Sequence, residues 1–283
     1  MAYHRFSFYD AATGAPYFVK AHDDRLLEEE WRQAEMLQFL KRENKLYEHL
    51  KQNQYPYIPE SVCLQENMLL LSGLRNSEGW LWRAPKDKNT LGAYITDVFR
   101  AFDSLESVKP HPDTAGDEVT IDVFYNNGWD KLHDINVNDL IGTNIQKWRK
   151  HLHPETAPAA QRIARNLGDF AIKRRDITPS VLNHHDARQT NIAWHPELGV
   201  NIVDWSWADM GLQNADKTML LLDLYKAGHD IDHYLDSINP TYAKLLLGYW
   251  LWRSQTEHME GNQSVRMHQF ISAIKTGELL LKL

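Results

Sequence analysis

The sequence predicts an α+β protein of two lobes: a small β-rich N-terminal lobe with one long helix over residues 1–75, and a larger, mainly helical lobe over residues 76–283. Three observations lead there. Short runs that alternate polar with apolar or aromatic residues fill the first lobe around a single helical pattern. From about Asn89, apolar residues recur at three- and four-residue spacing instead. One stretch, Val181–Asp204, interrupts the helical part and reads as a β-hairpin with acids and an amide on its rim.

The bulk properties set limits. A length of 283 residues suffices for one large domain or two lobes with a sizeable core. The hydrophobic share of 43% and charged share of 24% are those of a folded soluble chain. A net charge of −7 argues against a general nucleic-acid or anionic-membrane binder, and is compatible with a cationic substrate. Cys63 is the single cysteine, so no intrachain disulfide forms, and a reducing cytoplasm is the expected compartment. The start, MAYHRFSFYD, carries no apolar signal region. The longest apolar runs, Met219–Leu222 and Leu245–Trp252, are too short to span a bilayer. Oligomeric state is not written in the composition.

In chain order, residues 4–22 read as a hairpin, with strands Arg5–Tyr9 and Tyr17–Ala21 about a Thr13-Gly14 turn. Lys20 ends the second strand, where it is either a site cation or an edge-strand lysine that blunts pairing. Asp24–Asn44 is a helix on the spacing of Leu27, Trp31, Ala34, Leu37 and Leu40. QYPYIPE at 54–60 is a Pro-punctuated link into strands Ser61–Leu64 and Met68–Ser72. Trp80 and Trp82 alternate in GWLWR and predict a further strand or the far side of a hinge. Helices follow at Tyr94–Ser107, Ile141–His151 and Pro158–Arg174, with a mixed stretch over 117–142. Beyond the hairpin, helices run to about Lys226, ended by Gly228, then over Tyr234–Ile238, Pro240–Gln255 and Val265–Leu283. Tyr249, Trp250 and Trp252 form an aromatic cluster that suits either helix packing or a cation–π cage for a quaternary ammonium group.

The hairpin carries the chemistry. His184, Asp186 and Asn191 lie in its polar loop, Asp186 and Asn191 five apart, and Asp204 follows thirteen later at the end of a β-branched strand. A core hairpin has no need of two acids and an amide there. A site that binds Mg²⁺ and positions a hydroxyl does: hard oxygens hold the metal and a carboxylate accepts the hydroxyl proton.

This pattern resembles the aminoglycoside phosphotransferase and choline kinase branch of the protein-kinase-like superfamily. The matching residues are His184-His185-Asp186 with Asn191, then Ile202-Val203-Asp204-Trp205, then Gly211 and Asp216 before the apolar run Met219–Leu222. The resemblance implies a two-lobed kinase-like fold and phosphoryl transfer from ATP or GTP, with Mg²⁺, to the hydroxyl of a small molecule. It implies Asp186 as catalytic base, and Asn191 and Asp204 as Mg²⁺ ligands. His184 and Asp216 become braces of the loop, and Arg188, two after Asp186, a cation for the transferred phosphoryl. On the nucleotide side it implies Lys20 on the α/β phosphates, a helix glutamate paired with it, and hinge backbone near Ser72 at the purine edge.

The chain departs from the family in three places. His185 stands where the family usually has Gly. Counting four back from Leu37 and seven back from Leu40 lands on Gln33 where the family has its helix Glu; of the nearby acids Glu30 and Glu35, Glu30, on nearly the same helix face, is the expected partner of Lys20. Nineteen residues precede Lys20 and fit one hairpin, with Gly14 its sole glycine, leaving room for a short turn over the phosphates or for none. Two other readings therefore share these residues. One is a catalytically weak or inactive kinase-like nucleotide-binding protein. The other is a metal-dependent phosphohydrolase that uses His184, His185 and Asp186 as ligands.

Overall fold

A computed structural model describes residues 3–23, 30–110, 119–256 and 263–283. By packing, the chain divides into two compact units: Met1–Gly116 with Val181–Asp209, and Asp117–Ser180 with Met210–Leu283. The fold is two-lobed and kinase-like, with an N-terminal antiparallel sheet and a mainly helical C-terminal part.

In the first unit, β1 (Tyr3–Tyr9) and β2 (Pro16–His22) form the expected hairpin, with Arg5 opposite Lys20. Its turn is built by Asp10, whose Oδ1 accepts from the N–H groups of Ala12 and Thr13 and from the Thr13 hydroxyl. β3 (Ser61–Gln65) and β4 (Met68–Ser72) complete an antiparallel sheet in the order β1-β2-β4-β3. The described part of the long helix, α1, spans Glu30–Gln52, eight residues beyond the expected end at Asn44. Leu46, Tyr47 and Leu50 continue the apolar spacing begun by Leu40, and all four are buried. Helix α1 stops where Gln54 turns left-handed (φ 57°) ahead of Pro56. The expected start of this helix, at Asp24, lies outside the described residues.

The Trp80–Trp82 segment is not a strand. Leu81 alone bridges Trp194, through N–H to O contacts of 2.8 and 3.0 Å. The chain reaches it through a turn at Gly79 (φ 92°), where a Cβ would come within 2.6 Å of His195 Nε2. Helix α2 (Lys88–Glu106) starts on an Asp87 cap, which accepts from the Thr90 N–H, and buries Leu91, Ile95, Val98, Phe102 and Leu105. Then come β5 (Val181–Asn183), β6 (Ile192–His195) and β7 (Gly199–Ile202), the last two paired as the expected hairpin, Ile192 facing Ile202.

The second unit holds α3 (Thr120–Asn126), α4 (Trp129–Leu132), α5 (Val137–Trp148), α6 (Thr156–Phe170), α7 (Ala215–Lys226), α8 (Pro240–Arg253) and α9 (Gln263–Leu280). Close packing explains two of its glycines. A Cβ on Gly248 would strike the Trp129 indole at 2.5 Å, and one on Gly277 would strike Ile163 at 2.7 Å. The aromatic cluster takes part in this packing, since Tyr249 lies against Phe124 with ring centroids 4.7 Å apart.

Candidate active site

The β6–β7 hairpin owes its rigidity to burial and hydrogen bonding. Ile192, Ala193, Trp194, Val200 and Ile202 are all buried. Trp194 Nε1 donates to Asp97 on α2 at 3.0 Å, and the Ile202 N–H donates to Tyr57 O at 2.8 Å. The loop before β6 is pinned by Gln189, whose Oε1 accepts from the Ala84 N–H at 2.9 Å. Polar groups on such a frame hold one geometry, as a site requires.

The loop residues converge. His184 Nδ1 accepts from the Asp186 N–H at 3.2 Å, so the ring proton sits on Nε2, which donates to Val203 O at 3.0 Å. The imidazole thus ties the loop to the strand end that carries Asp204. Both ring nitrogens are engaged, so His184 is not a metal ligand in this arrangement. His185 is buried and left-handed (φ 62°), a conformation that favours glycine. The side chain turns inward rather than to solvent. Asn191 Nδ2 donates to Asp186 O at 2.8 Å and to Asp186 Oδ2 at 2.9 Å. With its amide protons spent on Asp186, Asn191 offers its Oδ1 as a hard oxygen acceptor. Arg188 grips the Asp186 carboxylate with both arms, Nε to Oδ1 at 2.6 Å and Nη2 to Oδ2 at 2.7 Å.

The second cluster centres on Lys20, which is buried. Its Nζ donates to Glu43 Oε2 at 2.6 Å and to Asp204 Oδ1 at 2.9 Å. Glu43 also accepts from the Trp205 N–H through Oε1 at 3.3 Å, so one carboxylate joins α1, β2 and the Asp204 turn. The neighbouring Arg42 adds a second tie, Nη2 to Asp209 Oδ2 at 2.9 Å and to Ala208 O at 2.8 Å. Burial opposes the Lys20 charge, but Glu43 and Asp204 outweigh it and raise its pKa. Burial opposes the Asp204 charge too, and the Lys20 ammonium outweighs it, so Asp204 titrates below its ordinary range. Glu43 is pushed up, because burial and the Asp204 charge together exceed the pull of Lys20. Tyr3 caps the lysine with its ring, 4.9 Å from Nζ to centroid, while its hydroxyl donates to Met36 O at 2.6 Å. Burial carries the Tyr3 hydroxyl up to about 12. Asp204 itself is left-handed (φ 65°, ψ 59°), a strained setting typical of functional positions.

Both clusters belong to the first unit, and they share a cavity of about 390 Å³. Arg5, Lys20, Glu43, Ser72, Asn191 and Asp204 are in its lining. Of the residues expected from sequence, Lys20, Ser72, Asn191 and Asp204 therefore come together, with Asp186 and Arg188 bonded to one another beside Asn191. Ser72 Oγ accepts from the Glu60 N–H at 3.1 Å. Asp216 is buried in the first turn of α7, in the second unit. The expected partner Glu30 requires correction: the acid on Lys20 is Glu43, and the side chain of Glu30 lies outside the described residues. The physical reason is position along α1, since the segment packed beneath β2 is the buried one, Leu40–Leu50. Glu43 precedes Tyr47 and Leu50 by four and seven, so the family's spacing was present with an aromatic in the first apolar place.

A model of the family described as "Phosphotransferase enzyme family" matches residues 6–248. The chain belongs to this phosphotransferase family. No protein of curated function matches it. Among solved structures, a thermostable mutant of the aminoglycoside phosphotransferase APH(4)-Ia, in ternary complex with ADP and hygromycin B, is similar at 13% identity and a TM-score of 0.58, covering 99% of this chain and 91% of that one. Choline kinase LicA from Streptococcus pneumoniae is similar at 12% identity and a TM-score of 0.52, covering 95% of this chain and 89% of that one. The Plasmodium vivax ethanolamine kinase Pv091845 is similar at 13% identity and a TM-score of 0.50, covering 95% of this chain and 80% of that one. At such identities the likeness is one of fold. Among the described residues, no helix of this phosphotransferase is long and apolar enough to cross a membrane.

The donor set of the cavity fits Mg²⁺. One amide oxygen and one carboxylate are hard ligands, and a small octahedral ion takes one or two such groups, completing its shell with water and substrate phosphates. Among the described residues, no cluster of three or more His, Cys, Asp or Glu has the form of a metal centre made by protein alone.

Proposed function

We propose that this phosphotransferase is a small-molecule kinase that moves the γ-phosphoryl group of ATP or GTP to a substrate hydroxyl. The observation that carries the reading is one cavity lined by Lys20, Asn191 and Asp204, with Asp186 hydrogen-bonded to that same Asn191. Lys20, held by Glu43, neutralises the α/β phosphates, and the backbone near Ser72 meets the purine edge. Asn191 Oδ1 and Asp204 would hold Mg²⁺, which would screen phosphate charge there. Asp186 takes the proton of the acceptor hydroxyl as its oxygen attacks the γ-phosphorus, and the bond to the β–γ bridging oxygen breaks to release the nucleoside diphosphate. Arg188 orients the Asp186 carboxylate and offers guanidinium charge to the phosphoryl in flight. His184 braces the loop.

The relatives in fold are named for aminoglycoside, choline and ethanolamine chemistry, and a net charge of −7 suits cationic acceptors of that kind. A lone cysteine suits a cytoplasmic enzyme. The test is release of nucleoside diphosphate from ATP and from GTP, with Mg²⁺, over a panel of aminoglycosides, choline, ethanolamine and simple sugars. Acceptor-dependent release with at least one member supports the reading. Nucleotide binding with no acceptor-dependent release across the panel favours a kinase-like binding protein instead.

A further inference from the structure

A polar group on the cavity wall is left without a partner. Tyr47 is in the lining with Lys20, Glu43 and Asp204, its side chain is fully buried, and among the described residues its hydroxyl makes no hydrogen bond. Glu43 and Tyr47 are four apart on α1 and so share a helix face. A buried tyrosine ordinarily finds a partner for its hydroxyl, and leaving it without one costs stability. Phenylalanine would fill the same place between the buried Leu46 and Leu50 without that cost. The hydroxyl therefore asks for a reason.

Its neighbour is the left-handed Asp204 turn. The N–H groups on either side of Asp204 are spent: Val203 donates to Asn191 O at 2.9 Å and Trp205 to Glu43 Oε1 at 3.3 Å. The Asp204 N–H between them acts on the Tyr47 oxygen without completing a hydrogen bond. Burial, then the charges of Glu43 and Asp204, push the phenol well above its ordinary value of 10.0, so it stands there as a neutral hydroxyl able to accept. The Asp204 carboxylate, meanwhile, leans on the Lys20 ammonium through Oδ1 at 2.9 Å. For Asp204 to serve a metal and Lys20 the phosphates, that contact has to loosen, and the turn that carries Asp204 shifts with it.

We propose that Tyr47 is a positioning residue for Asp204: its hydroxyl accepts the Asp204 N–H when the carboxylate turns from Lys20 toward the metal, and so selects the metal-holding form of the turn. Tyr47 is too deeply buried to touch a ligand itself and acts through Asp204. A hydrogen bond made in one conformation alone shifts the balance toward that conformation by its own worth. The effect falls on metal affinity, and the metal-free fold does not depend on it. The inference rests on the metal–nucleotide reading above.

The test is calorimetric binding of ATP and of GTP to the wild type and Tyr47→Phe over a series of Mg²⁺ concentrations, with thermal unfolding of both proteins free of metal. Tyr47→Phe removes one oxygen and keeps the ring. It should raise the Mg²⁺ concentration needed for half-maximal binding about fivefold, the worth of one hydrogen bond, and leave the metal-free melting temperature no lower than that of the wild type. An unchanged Mg²⁺ requirement overturns the assignment while leaving the nucleotide site standing. A lower metal-free melting temperature also overturns it, since the hydroxyl would then support the fold at large. A wild type without Mg²⁺-dependent binding of either nucleotide removes both the assignment and the reading beneath it.

Discussion

The first unit holds two antiparallel hairpins of opposite character. The β6–β7 hairpin is buried along most of its length, and its residues are tied to α2 and to the Tyr57 segment. The β1–β2 hairpin lies at the sheet edge, and β1 leaves Phe6, Phe8 and Tyr9 exposed. Asn191 and Asp204 lie just beyond the open end of the buried hairpin, where Ile192 pairs with Ile202. The exposed one carries Lys20 on its inner strand, the residue to which the proposed function gives the nucleotide phosphates. Lys20 is the exception that links them, because Glu43 and Asp204 fix it as firmly as anything on β6–β7. The lesson is that a core hairpin holds its geometry by burial, whereas the edge hairpin's Lys20 is held by its ionic partners.

The division can be broken first at Asp186. Asp186→Ala should lower turnover with a competent acceptor by about 10³-fold, within the usual range for a lost general base, while MgATP affinity and melting temperature stay near wild type. Turnover near the wild-type rate would remove Asp186 from the chemistry. Next comes the buried frame. Ile202→Ala opens a cavity beneath the Asp204 turn and should cost about 3 kcal/mol in denaturant unfolding. Glu43→Ala strips one partner from a buried pair and should cost a similar amount, about 3 kcal/mol. A loss below 1 kcal/mol in both, by the same measurement, would mean that the site is not held by this frame.

A smaller effect follows from pH. Lys20 titrates above its ordinary value of 10.5 in the folded chain, so the stability it contributes is fully present below that value and disappears as pH rises through the higher folded pKa. The stability difference between the wild type and Lys20→Met should therefore shrink above pH 10.5 and stay level from neutrality up to it. A difference that grows with alkalinity would contradict the direction of the shift. The smallest effect belongs to the edge hairpin. Phe6 is 53% exposed on the outer face of β1, and Phe6→Ala should change unfolding free energy by no more than about 0.5 kcal/mol. A loss comparable to that of Ile202→Ala would erase the contrast between the hairpins.

Much of this was legible in the chain. The loop and strand from His184 to Asp204 could be read because their spacing is local and their residue types are wrong for a plain core hairpin. The edge hairpin could be read from its alternation and turn. The partner of Lys20 could not be read so directly, because ion pairing depends on which turn of α1 packs under β2. Anchoring the count on Leu37 and Leu40 pointed to Glu30, whereas the buried segment with Tyr47 and Leu50 brings Glu43 into place. The inward turn of His185 was equally hidden, since a left-handed backbone at a bulky residue is imposed by its surroundings and has no signature in composition. The grip of Arg188 on Asp186 follows from a two-residue separation that only the loop's own shape converts into contact.

The account rests on Asn191 and Asp204 holding a metal–nucleotide pair in the cavity of the first unit. The most direct measurement is calorimetric titration of ATP and GTP, with and without Mg²⁺, into the wild type and Asp204→Ala. The account predicts Mg²⁺-dependent binding of at least one nucleotide to the wild type and its loss in the variant. Binding of equal strength in both proteins, or no binding by the wild type with Mg²⁺ present, would contradict it.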